Sequence, residues 1–173
     1  MKRKKGIYRV PKGQFINLDV GCGLNKTKGY VGMDIRKVKG VDIVHDVESV
    51  PYPLSDGCCN MILMSHLIEH ICPKRMIHVM NELWRIMKVG GHLYISTPYA
   101  GSRGCWQDPT HCGHWNETTP LYFDPYPYVL KGERSILYDI YKAKPWQLRE
   151  DSWFATGNLQ IIYEKRRNDE KGK

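Results

Sequence analysis

Leu18-Asp19-Val20-Gly21-Cys22-Gly23, followed by Asp34 and Asp46, constrains this chain more than any other stretch. A short apolar run enters a glycine turn, and one acidic residue closes each of the next two apparent strands. Glycine admits positive φ and lets the backbone approach a ligand closely. An ionised Asp only accepts hydrogen bonds, so it suits the hydroxyls of a ribose or the amino group of an adenine. In an open α/β sheet such a pocket opens at the carboxyl ends of the strands.

The rest of the chain reads as alternating strands and helices. Phe15–Val20, Tyr30–Ile35, Val41–His45, Asn60–Met64 and His92–Thr97 have the composition of strands. Met76, Val79, Met80, Leu83, Trp84 and Met87 recur at helical spacing behind Pro73, and that helix is expected to stop at Gly90-Gly91. This alternation predicts an α/β fold with an open, mostly parallel sheet. Ile136–Tyr141 and Asn158–Glu164 read as an antiparallel strand pair closing the sheet edge. Only nine residues, Gly21 to Gly29, separate the first two strands, whereas a parallel crossover usually takes a dozen or more. The first crossover helix is therefore expected to be short or missing, leaving loop amides to supply more of the grip on a ligand.

The net charge of +8 suggests nucleic acid until it is located. Residues 1–13 carry six bases and no acid, and residues 164–173 carry five bases and three acids, so the body is roughly neutral. The tails are either basic arms that touch phosphate or solvated termini. The expected organisation is a basic tail over 1–13, one domain over 14–164 and a charged tail over 165–173. The six cysteines form no CxxC pair and read as free thiols in a reducing compartment. No apolar run reaches the ~20 residues of a membrane helix, and no apolar segment follows the basic start as in a secretory signal. A cytoplasmic location is expected.

With these residues in place, the chain resembles the class I S-adenosylmethionine-dependent methyltransferases, and within them a small Rossmann-like branch with a shortened first helix. The resemblance spans roughly Phe15 to Pro98. It rests on five pieces in order: the glycine turn; Gly32-Met33-Asp34-Ile35; His45-Asp46-Val47; Ser65-His66-Leu67-Ile68-Glu69-His70; and Glu82 through Gly91. It implies S-adenosylmethionine as cofactor, with Asp19, Gly21 and Gly23 around its methionine end. Asp34 would hold the ribose hydroxyls, Asp46 and Val47 would sit at the adenine, and Ser65 and His66 would line the pocket floor. A dinucleotide site would need a third glycine where Lys26 stands and an acid about twenty positions further on, and Asp34 is too close.

Methyl transfer asks the protein to align a nucleophile and exclude water, with a base where the acceptor is an oxygen or nitrogen. The segment after the fifth strand, about residues 99–131, is long and dense in glycine, aromatics and titratable groups, and reads as an acceptor-side lid. The candidate catalytic residues are His66, Asp108 and His111. Asp108 and His111 could equally fix the lid through turn hydrogen bonds. His66 and His70, with Glu69, form an apt acid/base group. Cys105, His111, Cys112 and His114 offer zinc-type ligands, but without a CxxC anchor and with two of them adjacent, no metal site is assigned. Asp124-Pro125-Tyr126 resembles the Asp-Pro-Pro-Tyr of amino-methylating DNA enzymes, yet it follows the fifth strand and lacks the second proline. The expected acceptor is a small or glycan-like molecule. The alternatives are a nucleic-acid methyltransferase and a non-catalytic cofactor-binding partner protein.

Overall fold

The computed structural model describes residues 7–167. Its strands are β1 (Ile16–Val20), β2 (Val31–Asp34), β3 (Ile43–Val44), β4 (Cys59–Ser65), β5 (Met87–Pro98), β6 (Trp146–Trp153) and β7 (Asn158–Lys165). They form one sheet in the order β3-β2-β1-β4-β5-β7-β6. β1 to β5 pair in parallel, and β7 runs antiparallel to both β5 and β6. The mostly parallel sheet with an antiparallel carboxyl-terminal pair is the expected architecture.

The two faces of the sheet differ. Leu18, Val20, Ile62, Met64, Leu93, Ile95 and Ile161 are at most 2% exposed on one face. Helix α1 (Pro73–Ile86) packs into the same core through Met76, Val79, Met80, Leu83 and Ile86. On the other face Met61, Leu63, Tyr94 and Ile162 are half-buried and line a shallow cleft with Tyr30. Burial of one stripe of α1 and one face of the sheet is the main stabilising term.

The β1–β2 crossover, residues 21–30, contains no helix, as its length requires. Side chains pin it instead. Asp19 Oδ2 accepts from the Thr27 amide at 2.7 Å, and Lys26 Nζ reaches Asp42 Oδ2 at 2.8 Å. Gly32 is the place of closest approach: a Cβ there would lie 2.6 Å from Lys26 Cδ and 2.7 Å from Cys22 Sγ.

Three expectations about elements are corrected. Helix α1 ends at Ile86, where the Met87 amide donates to Leu83 O, and Met87 already belongs to β5. The glycines expected to stop the helix instead loop out of β5, whose pairing jumps from Cys59↔Met87 to Met61↔His92. Ile136–Tyr141 is a helix, α2, because the Ser135 side chain caps it by accepting from the Tyr138 amide. Its apolar residues are not a strand's buried face: Ile136 and Ile140 are 81% and 59% exposed. The partner of β7 is β6, hidden in the sequence because Arg149, Glu150 and Asp151 interrupt its apolar pattern; an edge strand tolerates such charges.

Both ends of the described stretch pack against the body of the protein. Tyr8 and Val10 pack against the core and the Tyr8 amide donates to Pro53 O, while residues 1–6 lie outside the described residues. At the other end Lys165 and Arg166 are buried. Lys165 Nζ donates to Met87 O and lies 3.9 Å from the Trp84 ring centre, and Arg166 pairs with Asp124 at 3.0 Å.

Candidate functional site

β1 delivers the chain into Gly21 at φ +73°, and Gly23 follows at φ +52°. A Cβ on Gly21 would fall 2.8 Å from Leu67 Cδ2, so glycine lets the turn lie under the end of β4. Two clefts meet at Gly21. Asp19, Gly21, Gly23 and Ser65 line one together with Cys22, Asn25, Thr27 and Arg36. Gly21, Asp34, Asp46 and Val47 line the other, of about 190 Å3, with Leu67 and His70. The structure thus brings seven of the eight residues expected around the cofactor into adjoining clefts. The eighth, His66, lines neither.

Most of the turn's polar groups are engaged within the turn itself. The Gly21 and Cys22 amides donate to Met33 O, the Asn25 amide to Cys22 O and the Gly23 amide to Asp34 Oδ2. These four amides are therefore engaged inside the protein. Asp34 also accepts from the Arg36 amide at 2.8 Å and from Arg36 Nε at 3.1 Å. Burial pushes the Asp34 carboxyl up, but the bonds from Arg36 and Gly23 outweigh it and hold the group below its ordinary value. The Arg36 side chain is 61% exposed, so its pairing with Asp34 is a weak, solvent-screened one. The Cys22 thiol is pushed up by burial and by the Asp19 and Asp34 charges, so it stays protonated rather than nucleophilic. Asp46 caps a turn, accepting from the Glu48 amide and the Ser49 hydroxyl.

A second set of groups gathers where β4 meets the lid. His66 leaves β4 at φ +50°, a conformation costly for a side chain other than glycine. Its Nδ1 stands 3.3 Å from Glu69 Oε1. Glu69 sits in the 3-10 turn Ile68–His70 and is 1% exposed. Its Oε2 accepts from Thr97 Oγ1 at 3.1 Å, and its backbone carbonyl takes the amides of Cys112 and Gly113, each at 2.9 Å. The lid is therefore latched to this turn. Gly113 permits the approach: a Cβ there would lie 3.3 Å from Ile68 O. His111, expected from the sequence as catalytic, packs its ring against His70 with centroids 4.7 Å apart.

Asp108 does something else. Its Oδ1 accepts from the Thr110 amide and hydroxyl, the turn-fixing alternative, and these bonds hold its carboxyl low. The thiol and imidazole groups considered for zinc do not converge. Cys105 Sγ is paired with His114 Nδ1 at 3.2 Å, and Cys112 Sγ donates to Ile71 O. Asp124 is a buried brace, accepting from the Leu148 and Tyr126 amides and from Arg166. Beneath the lid Pro73, Met76, Trp115, Tyr122, Phe123 and Tyr141 line a cavity of about 390 Å3.

Sequence reasoning missed Arg36, Leu67 and Glu48, all of which line the clefts. Arg36 stands two residues beyond Asp34, the spacing at which a side chain can return to the carboxylate, and that was its one signal.

Comparison with known proteins matches this geometry. Residues 36–95 match the model of a methyltransferase domain family. No curated protein matches the sequence significantly. Among solved structures, a SAM-dependent methyltransferase of Archaeoglobus fulgidus superposes with a TM-score of 0.60 at 18% identity, covering 89% of this chain and 87% of its own. One of Methanosarcina mazei gives 0.55 at 16%, covering 88% and 93%. The 1,6-didemethyltoxoflavin-N1-methyltransferase of Burkholderia thailandensis, solved with S-adenosylhomocysteine, gives 0.60 at 10%, covering 90% and 73%. The chain has the fold of the class I S-adenosylmethionine-dependent methyltransferases. Within that methyltransferase fold the glycine turn lies ahead of the matched 36–95 stretch, and the Glu69 turn and α1 lie inside it.

Proposed function

We propose that the chain binds S-adenosylmethionine across the two clefts that meet at Gly21 and transfers its methyl group to a small ring-bearing acceptor held under the lid. The observation that carries this reading is the junction itself. Asp19, Gly21, Gly23 and Ser65 suit the methionine end on one side, and Asp34, Asp46 and Val47 suit the adenosine on the other. The residues fit the cofactor: backbone without Cβ at the crossing, a carboxylate kept ionised for the ribose, and a half-buried valine for the adenine.

The cofactor supplies a methyl group already activated on a sulfonium. The protein's share is placement and proton management. Asp34 exchanges Arg36 for the ribose hydroxyls. The lid, latched to Glu69, keeps water from the reacting atoms. His66, half-exposed where β4 ends, takes the proton of an acceptor oxygen or nitrogen. His111 and Asp108 order the lid around that point.

A cavity of about 390 Å3 is the size of a small-molecule site, and its aromatic walls suit the faces of a sugar or another ring. The clefts carry Asp19, Asp34, Asp46 and Glu48 against Arg36, a net negative lining that disfavours a nucleic-acid backbone. The small-acceptor reading is therefore preferred over the nucleic-acid one. A crystal structure with S-adenosylhomocysteine tests the proposal. The ribose is expected on Asp34, the adenine against Val47 and the sulfur near Gly21. A nucleoside bound anywhere else overturns it.

A further inference from the structure

Glu69 Oε1 is a buried carboxylate oxygen that receives no hydrogen bond. Its sister Oε2 is satisfied by Thr97, so the orphan is one atom with a defined direction. Buried anionic oxygens are normally paired or bound to a metal. The nearest ring nitrogen, His66 Nδ1 at 3.3 Å, makes no hydrogen bond with it.

Two imidazoles stand close to this carboxylate. Glu69, His70 and His111 each offer a ligand atom within 4.8 Å of the other two. Their partners fix which nitrogens are free. His111 Nδ1 lies 3.0 Å from Cys105 O, and a carbonyl can only accept, so Nδ1 carries the proton and Nε2 keeps its lone pair. His70 Nδ1 lies 3.1 Å from Thr110 Oγ1, whose own proton goes to Asp108 Oδ1 at 2.7 Å. The hydroxyl therefore accepts from His70 Nδ1, and His70 Nε2 is left bare. Asp108 Oδ2 adds negative charge 4.0 Å from His111 Nε2. Imidazoles held through their second nitrogen by a carbonyl, or by a hydroxyl backed by a carboxylate, are arranged as metal-bound histidines are.

We infer that Glu69, His70 and His111 form a binding site for one divalent transition-metal ion where the cofactor cleft meets the lid. One carboxylate oxygen and two imidazole nitrogens suit Zn2+, Co2+, Mn2+ or Fe2+ better than Ca2+ or Mg2+, which favour all-oxygen shells. Three protein ligands leave coordination positions open toward the acceptor. A cation there would hold an acceptor oxygen and lower its pKa. That use rests on the proposed methyl transfer, whereas ion binding itself rests only on the side-chain geometry. The Asp108-Thr110-His70 chain gains a purpose: it orients a ligand.

Cobalt is the probe, because bound Co2+ absorbs in the visible. Chelator-treated protein titrated with Co2+ should saturate at one equivalent. Glu69→Gln and His111→Gln should each weaken binding by at least about tenfold. His70→Ala, at an exposed position that leaves the core intact, should do the same and covers the case in which Glu69→Gln fails to fold. Cys112→Ser and His114→Ala should leave the titration unchanged. Absence of saturable binding, or binding that survives both His70→Ala and His111→Gln, overturns the inference, as does binding lost in His114→Ala. Calorimetry with S-adenosylhomocysteine on the same samples separates the two proposals. Cofactor bound with cobalt ignored removes the metal site alone.

Discussion

The glycine turn and the Glu69 turn stand at the ends of adjacent strands, β1 and β4, and treat their polar groups in opposite ways. In the glycine turn the amides of Gly21, Cys22, Gly23 and Asn25 and the carboxylates of Asp19 and Asp34 all have partners within the protein. Around Glu69 a buried oxygen and two imidazole nitrogens are left with free lone pairs. The contrast follows from what each end must do. A crossover with no helix has to be held by its own hydrogen bonds. The Glu69 turn is held from outside, by lid amides on its backbone carbonyl, so its side chains are free for chemistry.

The largest expected effect comes from breaking the pinned side. Gly21→Val forces a β-branched residue into positive φ and drives its side chain into Leu67. It should cost about 3 kcal/mol in a denaturant titration and abolish cofactor binding. A stable, binding-competent variant would mean that the turn is not held as described.

Thr97→Val keeps the shape beside Glu69 and removes the donor to Oε2. With both oxygens unsatisfied, stability should fall by about 2 kcal/mol, and saturating Co2+ should restore part of the loss. Loss of stability without rescue would argue that the free lone pairs serve no cation.

His66→Gly acts at the Glu69 end in the opposite direction. Relief of the strained φ should stabilise the fold by about 1 kcal/mol in thermal or denaturant unfolding, while turnover falls. A destabilised variant would place no stored strain at the reactive end.

The smallest effect is a titration. Burial pushes Asp34 and Asp42 up, but hydrogen bonds from Arg36 and Gly23, and from Lys26 and Gly32, leave both below their ordinary values. Their folded values lie below the unfolded one of about 4, so their stabilisation is whole above that pH and is lost as pH falls through the folded values. The amide resonances of Gly23 and Gly32 should therefore shift only below about pH 4. A midpoint above that would show the crossover to be loosely pinned.

The glycine turn was legible in the sequence because its signals are local. Gly21, Gly23 and the strand-end acids each report a backbone or hydrogen-bonding need of their own position. The missing first helix was legible from length alone. What escaped depended on partners far along the chain. Ser135 decided between helix and strand for Ile136–Tyr141 by a capping bond that apolar periodicity does not register. β6 was masked by charges that only its edge position tolerates. The sequence pointed to His66, Asp108 and His111 but could not say that His111 would meet His70 and that Asp108 would act through Thr110, since those contacts need the lid folded onto the Glu69 turn.

In the proposed function the clefts meeting at Gly21 bind the cofactor through Asp34. Calorimetric titration of the full chain with S-adenosylhomocysteine, beside Asp34→Ala, tests it most directly. Saturable one-to-one binding is expected, weakened at least about a hundredfold in the variant, as two ribose hydroxyls lose a charged acceptor. No binding by the intact chain at millimolar ligand, or equal affinity in Asp34→Ala, would contradict it.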